Sequence, residues 1–386
     1  MKNKILFCIL IFLLVFIQGA LLAQETGTAN PREWRQAFEH GKVIFRQKDF
    51  GNAFISFNDA KRLKRTYFER LERNFIDLLS ITEVRRMGDS LDWIERYINE
   101  RHYAGAADAL EELYYYFPRD TFNNSAKAAL EALGRLKDFP EAEKWIGEIY
   151  FVEGELDLAL AQFQKALSLN ESNETDGFSI EVLYKMAHIR RIRQEYPEMI
   201  RILDEVLKTD RLWSVSQNPN SPSESSRSFI RRAMTRTLVN RGPNQFIIQY
   251  RYKNDESIDA HRLLGFYYYL TGSHGRAQEH LMFSFLIQNT VIIEELKRQR
   301  FDFVFSRLDL LAAEINSNPM LAEYVNTNEY YRTAYYLGVC LNIEEKRSAS
   351  RELWNFLSTQ IQAGEWRNRS ISQLRSPFLE PAVEMP

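Results

Sequence analysis

The chain of 386 residues has few of the residues on which several common kinds of protein depend. It contains two cysteines, and Cys8 lies in an apolar N-terminal run. Removal of that run would leave Cys340 alone, without an intrachain disulfide or a cysteine zinc site. The 16 glycines and 11 prolines favour long helices with short turns over an all-β fold. A formal net charge of −2 provides no overall attraction for nucleic acid or an anionic membrane.

Catalytic signatures are absent from the sequence. It has no phosphate-binding glycine loop, no Gly-x-Ser-x-Gly and no His-Glu-x-x-His. His274 and His280 are the closest histidines, and their spacing of six does not put them on one helix face. We expect each at the surface or between helices, and Cys340 buried as a small apolar residue. The sequence thus predicts a protein that is not an enzyme and has no metal or cofactor. The alternative is an enzyme of an unrecognised kind, which two titratable groups with strongly perturbed pKa values facing each other in a cleft would support.

The first 23 residues have the composition of an export signal. Lys2 and Lys4 precede the apolar run Ile5–Ile17, and small residues follow as far as Ala23. We therefore predict cleavage after Ala23, and a periplasmic or secreted protein. The alternative is an uncleaved segment that anchors the N-terminus, since 5–23 could nearly span a bilayer.

A spacing of small and aromatic residues recurs after residue 30. Gly147 is followed at offsets 3, 7, 12, 16 and 19 by Tyr150, Gly154, Ala159, Phe163 and Ala166. Small residues allow two helices to cross closely, with Ala159 expected to face Gly147. Related spacings start at Gly41, Ile94, Ala187, Gly265 and Gly338. The offset of 7 is expected to be a turn, and it falls on Lys48, Arg101, Gly154, Gln194, Gly272 and Glu345.

This pattern resembles the tetratricopeptide repeat (TPR). The resemblance implies an all-α, right-handed superhelical solenoid of helix-turn-helix repeats. The six starting points are 40 to 78 residues apart, whereas a contiguous array would step by about 34, so extra helices are expected at 66–87, 125–139 and 301–315. The predicted organisation is a block at 30–213, a Ser/Pro/Asn-rich loop or linker at 214–226, a block at 227–365, and a loosely held, aperiodic tail at 366–386.

The resemblance also implies a partner-binding groove on the concave side, lined by the first helix of each repeat. Carried over by register, its residues are Lys144, Phe151, Tyr184, His188, Arg191, Arg262, Phe266, Tyr269, Arg332 and Tyr335. Aromatic and arginine side chains are frequent in binding hot spots. The alternative is that these side chains pack against neighbouring helices.

A second candidate surface is a stretch without acidic residues between Glu224 and Asp255. Its basic patch comprises Arg227, Arg231, Arg232, Arg236 and Arg241. Such a patch could bind an acidic peptide, a lipid headgroup or another polyanion. The alternative is that these arginines form ion pairs with acidic helices of adjoining repeats.

These observations favour a non-catalytic scaffold or adaptor of the cell envelope that binds a peptide or helix of another protein, whose identity the sequence does not give. Self-association is compatible with the exposed ends of such arrays. The alternative function is a periplasmic solute- or lipid-binding helper of a transporter. Its cavity would be lined by Phe266, Tyr269, Phe301, Phe303 and Tyr335.

Overall fold

The computed structural model describes residues 31–81, 96–97, 105, 134, 136–170, 177–213, 224–381 and 385. Regular structure in these ranges is helical, with fourteen α-helices, which confirms the predicted all-α class. In chain order α1 to α14 are Pro31–Arg46, Phe50–Ile81, Pro140–Val152, Leu156–Asn170, Phe178–Ile192, Tyr196–Val206, Glu224–Gln249, Ile258–Leu270, His274–Gln299, Leu308–Ser317, Pro319–Thr327, Tyr330–Ile343, Arg347–Thr359 and Glu365–Arg375. Within the described part, every helix is too short or too polar to cross a membrane.

Five turns between helices in the described ranges share one geometry. In the turn between α3 and α4, the N–H of Gly154 donates to the carbonyl of Phe151 (3.1 Å), and that of Glu155 donates to Tyr150 (2.8 Å). This bond pair, the Schellman motif, requires a residue with left-handed backbone at its centre. The central residues have φ between 58° and 84°, and they are Lys48, Gly154, Gln194, Gly272 and Glu345. Five of the six predicted turn positions are therefore confirmed, and Arg101 lies outside the described residues.

Four of the helix pairs cross at a glycine that lies under a large side chain sixteen residues later. At Gly147 an added Cβ would lie 2.7 Å from the ring of Phe163. The same separation of 2.7 Å applies to the pairs Gly41 with Phe57, Gly265 with Leu281, and Gly338 with Trp354. The predicted close crossing is thus present. The residue that covers Gly147 is Phe163 and not Ala159, because the longer side chain reaches back across the partner helix.

The chain divides into two compact units, Met1–Lys185 and Met186–Pro386. In the described part of the first unit, α1 to α4 enclose an aromatic core in which Phe57 stacks on Trp145 with ring centroids 5.8 Å apart. The carboxylate of Glu143 is buried beside it and bonds to the ammonium groups of Lys61 and Lys165, each at 2.8 Å. Burial lowers the pKa of nearby Lys64 to about 8.

The core of the second unit lies between α8, α9, α12 and α13, with α7 and α14 packed against α13. Helix α12 is buried from Tyr330 to Leu341 except at Arg332, which is partly exposed. Cys340 lies within that stretch, fully buried as predicted, and burial raises the pKa of its thiol. Helix α7 is kinked at Gly242, whose φ of 77° and ψ of 171° precede Pro243.

Several predicted boundaries differ from the structure. Residues 66–81 continue α2, because no glycine or proline interrupts the sequence from Asn52 to Ile81. The helix predicted at 301–315 begins at Leu308, since the extended backbone of Arg307 precedes it. Helix α14 occupies most of 366–375, which had been predicted to be aperiodic. Helix α7 begins at Glu224, inside the stretch predicted as a loop or linker. The division into blocks at that stretch stays a prediction.

Some predictions fall outside the described residues. They are the export signal at 1–23, most of the repeat that starts at Ile94, most of the helix at 125–139, and positions 214–223 of the linker.

Candidate functional site

Charged and aromatic side chains from α8, α12 and α14 meet on one surface of the second unit. Glu329, whose backbone is left-handed with φ of 49°, precedes α12 and accepts hydrogen bonds from Arg332 (2.8 Å) and Arg262. The guanidinium of Arg332 lies 4.6 Å from the ring centre of Phe266 and 5.9 Å from that of Trp366. Arg262 is also paired with Asp259 at 2.8 Å, so the charges of these two arginines are balanced by two carboxylates.

Residues 376–381 follow α14 without regular secondary structure, with extended backbone at Ser376. They bind to this surface, and we call them the tail segment. Its Glu380 is 5% exposed. One carboxylate oxygen accepts a hydrogen bond from the hydroxyl of Tyr335 and the other from the guanidinium of Arg369. The main-chain carbonyl of Glu380 accepts a hydrogen bond of 2.8 Å from Tyr269. Glu380 is thus bound through its side chain and its backbone together.

Gln373 of α14 binds the main chain of the tail segment at Phe378, two residues before Glu380. The amide N–H of Phe378 donates to Gln373 Oε1 at 3.0 Å, and Gln373 Nε2 donates to the carbonyl of Phe378 at 3.1 Å. Gln373 is fully buried and also donates to the hydroxyl of Tyr335 at 3.2 Å. We call Tyr269, Tyr335, Arg369 and Gln373 the tail-binding residues. Three of their contacts are with the peptide backbone, and two are with one carboxylate.

A fourth helix, α5, contacts the chain beyond the tail segment. Arg191 of α5 donates to the carbonyl of Met385 at 3.4 Å, and it also bonds to Nδ1 of His188 at 2.9 Å. Burial and the positive charge of Arg262 lower the pKa of Arg191, and the charge of Glu329 acts in the opposite direction. Arginines of three successive first helices therefore lie around Glu329.

An open cleft of about 760 Å³ adjoins the tail segment. Pro381 and Met385 form part of its wall, and most of the remaining wall is polar or aromatic. Its charged residues are Glu329, Arg332, Glu365 and Arg369, and its aromatic residues are Tyr330, Tyr331, Tyr336 and Trp366.

The structure brings together seven of the predicted groove residues and buries three of them. The seven are His188, Arg191, Arg262, Phe266, Tyr269, Arg332 and Tyr335. Phe266 and Tyr335 are fully buried and Tyr269 is 4% exposed, so these three rings pack inside the unit as it stands. Phe266 therefore packs against neighbouring helices, which was the alternative to a place in the groove. Tyr269 and Tyr335 are in addition bonded to Glu380. Arg191, Arg262 and Arg332 keep partial exposure beside them.

The groove residues of the first unit lie elsewhere. Lys144 pairs with Glu181 at 2.7 Å, while Phe151 and Tyr184 are partly buried. Their role in binding stays a prediction.

The predicted basic patch lies on α7 and is divided between two environments. Arg231 donates to the carbonyl of Leu212 at 2.7 Å and lies over Trp213 at 5.1 Å. Arg232, Arg236 and Arg241 are exposed, and among described residues they form no ion pair. Arg227 belongs to the same helix. These three arginines therefore do not form the ion pairs with acidic side chains of described helices that the alternative interpretation expects.

The second unit contains a buried polar cluster that was not predicted from the sequence. Asp210 is fully buried and accepts hydrogen bonds from the hydroxyl of Tyr252 at 2.6 Å and the N–H of Leu212 at 2.9 Å. His261 Nε2 lies 3.3 Å from Asp210, and its Nδ1 lies 3.0 Å from Nδ1 of His280. His280 is therefore buried between helices and does not lie at the surface. The cluster was not predicted because its residues are distant from one another in the sequence.

Two side chains of this cluster have shifted pKa values. Burial raises the pKa of Asp210, but hydrogen bonds from His261, Tyr252 and Leu212 outweigh it, so the pKa lies below its ordinary value. Burial, assisted by His261, Arg276 and Arg231, holds the pKa of His280 well below 6.5. Because Asp210 and His261 have no exposed surface, a substrate cannot reach them in this conformation.

The five residues predicted for a solute cavity do not form one. Phe301 is 100% exposed and Phe303 is partly exposed, whereas the other three are buried. None of the five lines the cleft beside the tail segment. In the described ranges, no group of three or more His, Cys, Asp or Glu side chains could hold a metal ion.

Comparisons with known proteins give limited information. No family model matches the chain. An uncharacterized protein of Treponema pallidum (strain Nichols) is 21% identical over 357 residues, which is 92% of this chain and 93% of that protein. The TPR domain of P58(IPK) is 13% identical and covers 89% of this chain and 98% of its own, with a TM-score of 0.18. At that score the comparison carries no weight, and the repeat geometry described above is the basis for the fold.

Proposed function

We propose that the chain is a non-catalytic interaction scaffold that binds an extended segment of a partner protein on the second unit. The observation that carries this proposal is that the unit already binds a segment without regular secondary structure, residues 376–381. It does so with side chains of α8, α12 and α14. Surfaces of helical repeats commonly bind partner segments in this way.

The residues around the segment support a peptide ligand. Arg332 and Arg369 flank the ring of Trp366 at 5.9 Å and 5.1 Å from its centre. Arginine and tryptophan are enriched where partner proteins bind tightly, because they combine large area with directional hydrogen bonds. Three backbone contacts suit any extended sequence, whereas the carboxylate site beside Arg369 selects an acidic residue.

The compartment of this interaction is part of the proposal. The apolar run at 5–17 and the small residues that follow it favour export, so the partner would belong to the cell envelope. A protein anchored by an uncleaved run would meet the same partners at the membrane surface.

A solute-binding role is the second candidate, and the volume of the cleft favours it. About 760 Å³ lies within the range of small-molecule sites. The charged wall argues for a polar solute and against a lipid. Native mass spectrometry of the purified chain distinguishes the two, because a retained small molecule would add mass that denaturation removes.

Site-specific photo-crosslinking in the source cells tests the scaffold proposal. The photoreactive residue replaces Gln362, which is exposed in the wall of the cleft. The matched control replaces Phe301, an aromatic side chain that is 100% exposed away from the cleft. We expect one defined protein to crosslink at 362 and not at 301, through a contiguous segment mapped by mass spectrometry. Equal crosslinking at both positions, or none at 362, would contradict the proposal.

A further inference from the structure

The tail segment is bound differently from the helices around it. The backbone at Ser376 is extended, with φ of −150° and ψ of 98°. The two large apolar side chains of the segment point away from the core, since Phe378 is 43% and Leu379 is 68% exposed. Glu380, by contrast, is 5% exposed. A segment that belonged to the core would bury its apolar residues and expose its charge, so this pattern is that of a bound ligand.

The contacts that hold the segment could be made by another peptide. Within the tail segment, Gln373 contacts the backbone of residue 378 and no side chain. Tyr269 likewise contacts only the backbone of residue 380. The one contact that depends on sequence is the carboxylate of Glu380 with Tyr335 and Arg369. A partner segment with a glutamate at this position would therefore make the same five hydrogen bonds.

The binding of the segment also has an electrostatic reason. Tyr335 is buried, and burial together with its hydrogen bond to Glu380 raises the pKa of its hydroxyl, so it acts as a neutral hydrogen-bond donor to the carboxylate. The positive charge close to Glu380 is supplied by Arg369, which is also paired with Glu365 at 3.2 Å. A buried carboxylate is retained where a charged partner and a hydroxyl satisfy it.

We infer that the tail segment is an internal competitor, which occupies the partner site until an extended acidic segment of the partner displaces it. The inference rests on the proposed function. It also specifies the ligand, namely an extended peptide whose glutamate replaces Glu380. Because a tethered ligand has a high effective concentration, the closed chain binds the partner more weakly than an open chain.

The test uses a fluorescently labelled synthetic peptide with the sequence of residues 374–386, measured by anisotropy. The peptide is titrated into the full chain, into a variant that ends at Arg375, and into the full chain with Glu380→Gln. A peptide with the same Glu380→Gln change is the control ligand. We expect the shortened variant to bind the peptide about tenfold or more tightly than the full chain, with Glu380→Gln intermediate. The control peptide should bind about tenfold more weakly than its parent, because it lacks the charge that Arg369 attracts.

Several results would overturn the inference. Equal affinity of the full and shortened chains, equal binding of both peptides, or no binding by a shortened chain with unchanged helical circular dichroism would each contradict it. If the shortened chain does not fold, the comparison of the full chain with its Glu380→Gln variant decides. Light scattering adds one outcome, since a dimer that dissociates on shortening would identify a second copy as the occupant and refute the partner segment.

The failures of the two proposals are distinguishable. A partner that crosslinks at 362 with equal yield in the full and shortened chains would refute the internal competitor alone. Tight peptide binding by the shortened chain, without any crosslinked partner in cells, would refute the scaffold function and, with it, a partner protein as the displacing ligand.

Discussion

Replacement of Gly147 by alanine places a methyl group into the crossing of α3 and α4. The new Cβ would lie 2.7 Å from Phe163 Cε1 and 2.8 Å from Cδ1, closer than carbon atoms pack, so the ring or a helix must shift. Overpacking of a core costs about 1–3 kcal/mol. Alanine is favoured over glycine inside a helix by about 1 kcal/mol. The net expectation is a loss of stability between zero and about 2 kcal/mol.

Gly51→Ala separates the two effects. Gly51 lies in α2, and nothing is within 4 Å of its added Cβ, so the exchange should leave stability unchanged or raise it. The difference between the two variants in urea unfolding then measures the overpacking alone, about 1–3 kcal/mol. Hydrogen exchange of the α3 and α4 amides localises the change.

A double-mutant cycle tests the mechanism. Phe163→Leu shortens the side chain over Gly147, so Gly147→Ala should cost less in that background, with a coupling of about 0.5 kcal/mol or more. Zero coupling, or a Gly147→Ala variant as stable as Gly51→Ala, would show that the helices do not approach closely there. The same experiment applies to Gly338, whose added Cβ would lie 2.7 Å from Trp354 Nε1.

Two further predictions concern the second unit. Glu345→Gly should stabilise the chain by up to about 1 kcal/mol in thermal unfolding, because φ of 61° strains a residue with a side chain. Glu344→Gly, at an ordinary φ of −80°, should not stabilise it. The pKa of His280 is lower in the folded chain than its ordinary 6.5, so stability is full above about pH 6.5 and falls as the pH drops below it, by up to about 1.4 kcal/mol per pH unit. His280→Gln should remove that slope from a series of melting temperatures between pH 7.5 and 5, while exposed His40→Gln should not.

The sequence predicts the repeats well because local chemistry dictates them. A small residue followed by a large one sixteen positions later is required wherever two antiparallel helices cross closely, and the turn position must accept a left-handed backbone. The residues that meet both requirements lie within about twenty positions of one another, so their spacing can be recognised in the sequence. Gln194 and Glu345 are turn residues without glycine, and the offset of seven still identified them.

Contacts between residues that are distant in the sequence produce no such recognisable spacing. Asp210, Tyr252, His261 and His280 form one buried cluster, yet each is unremarkable in its own helix or loop. Helix α14 was missed because its apolar residues are few, with Ser370 and Gln373 as its buried positions. Such polar contacts are decided by tertiary packing, and periodicity does not report them.

Contacts with Glu380 explain why two of the predicted groove residues are buried. Tyr269 and Tyr335 were predicted to meet a partner, and both are buried. Each donates its hydroxyl hydrogen bond to Glu380, one to the carbonyl and one to the carboxylate. Phe266 is different, since its ring lies under the partly exposed guanidinium of Arg332 and packs against buried Tyr336 with ring centroids 5.5 Å apart. Displacement of the tail segment would therefore free the two tyrosine hydroxyls for a partner and leave Phe266 in the core. Of the three buried groove residues, the internal-competitor hypothesis assigns ligand contacts to Tyr269 and Tyr335, while Phe266 supports the position of Arg332.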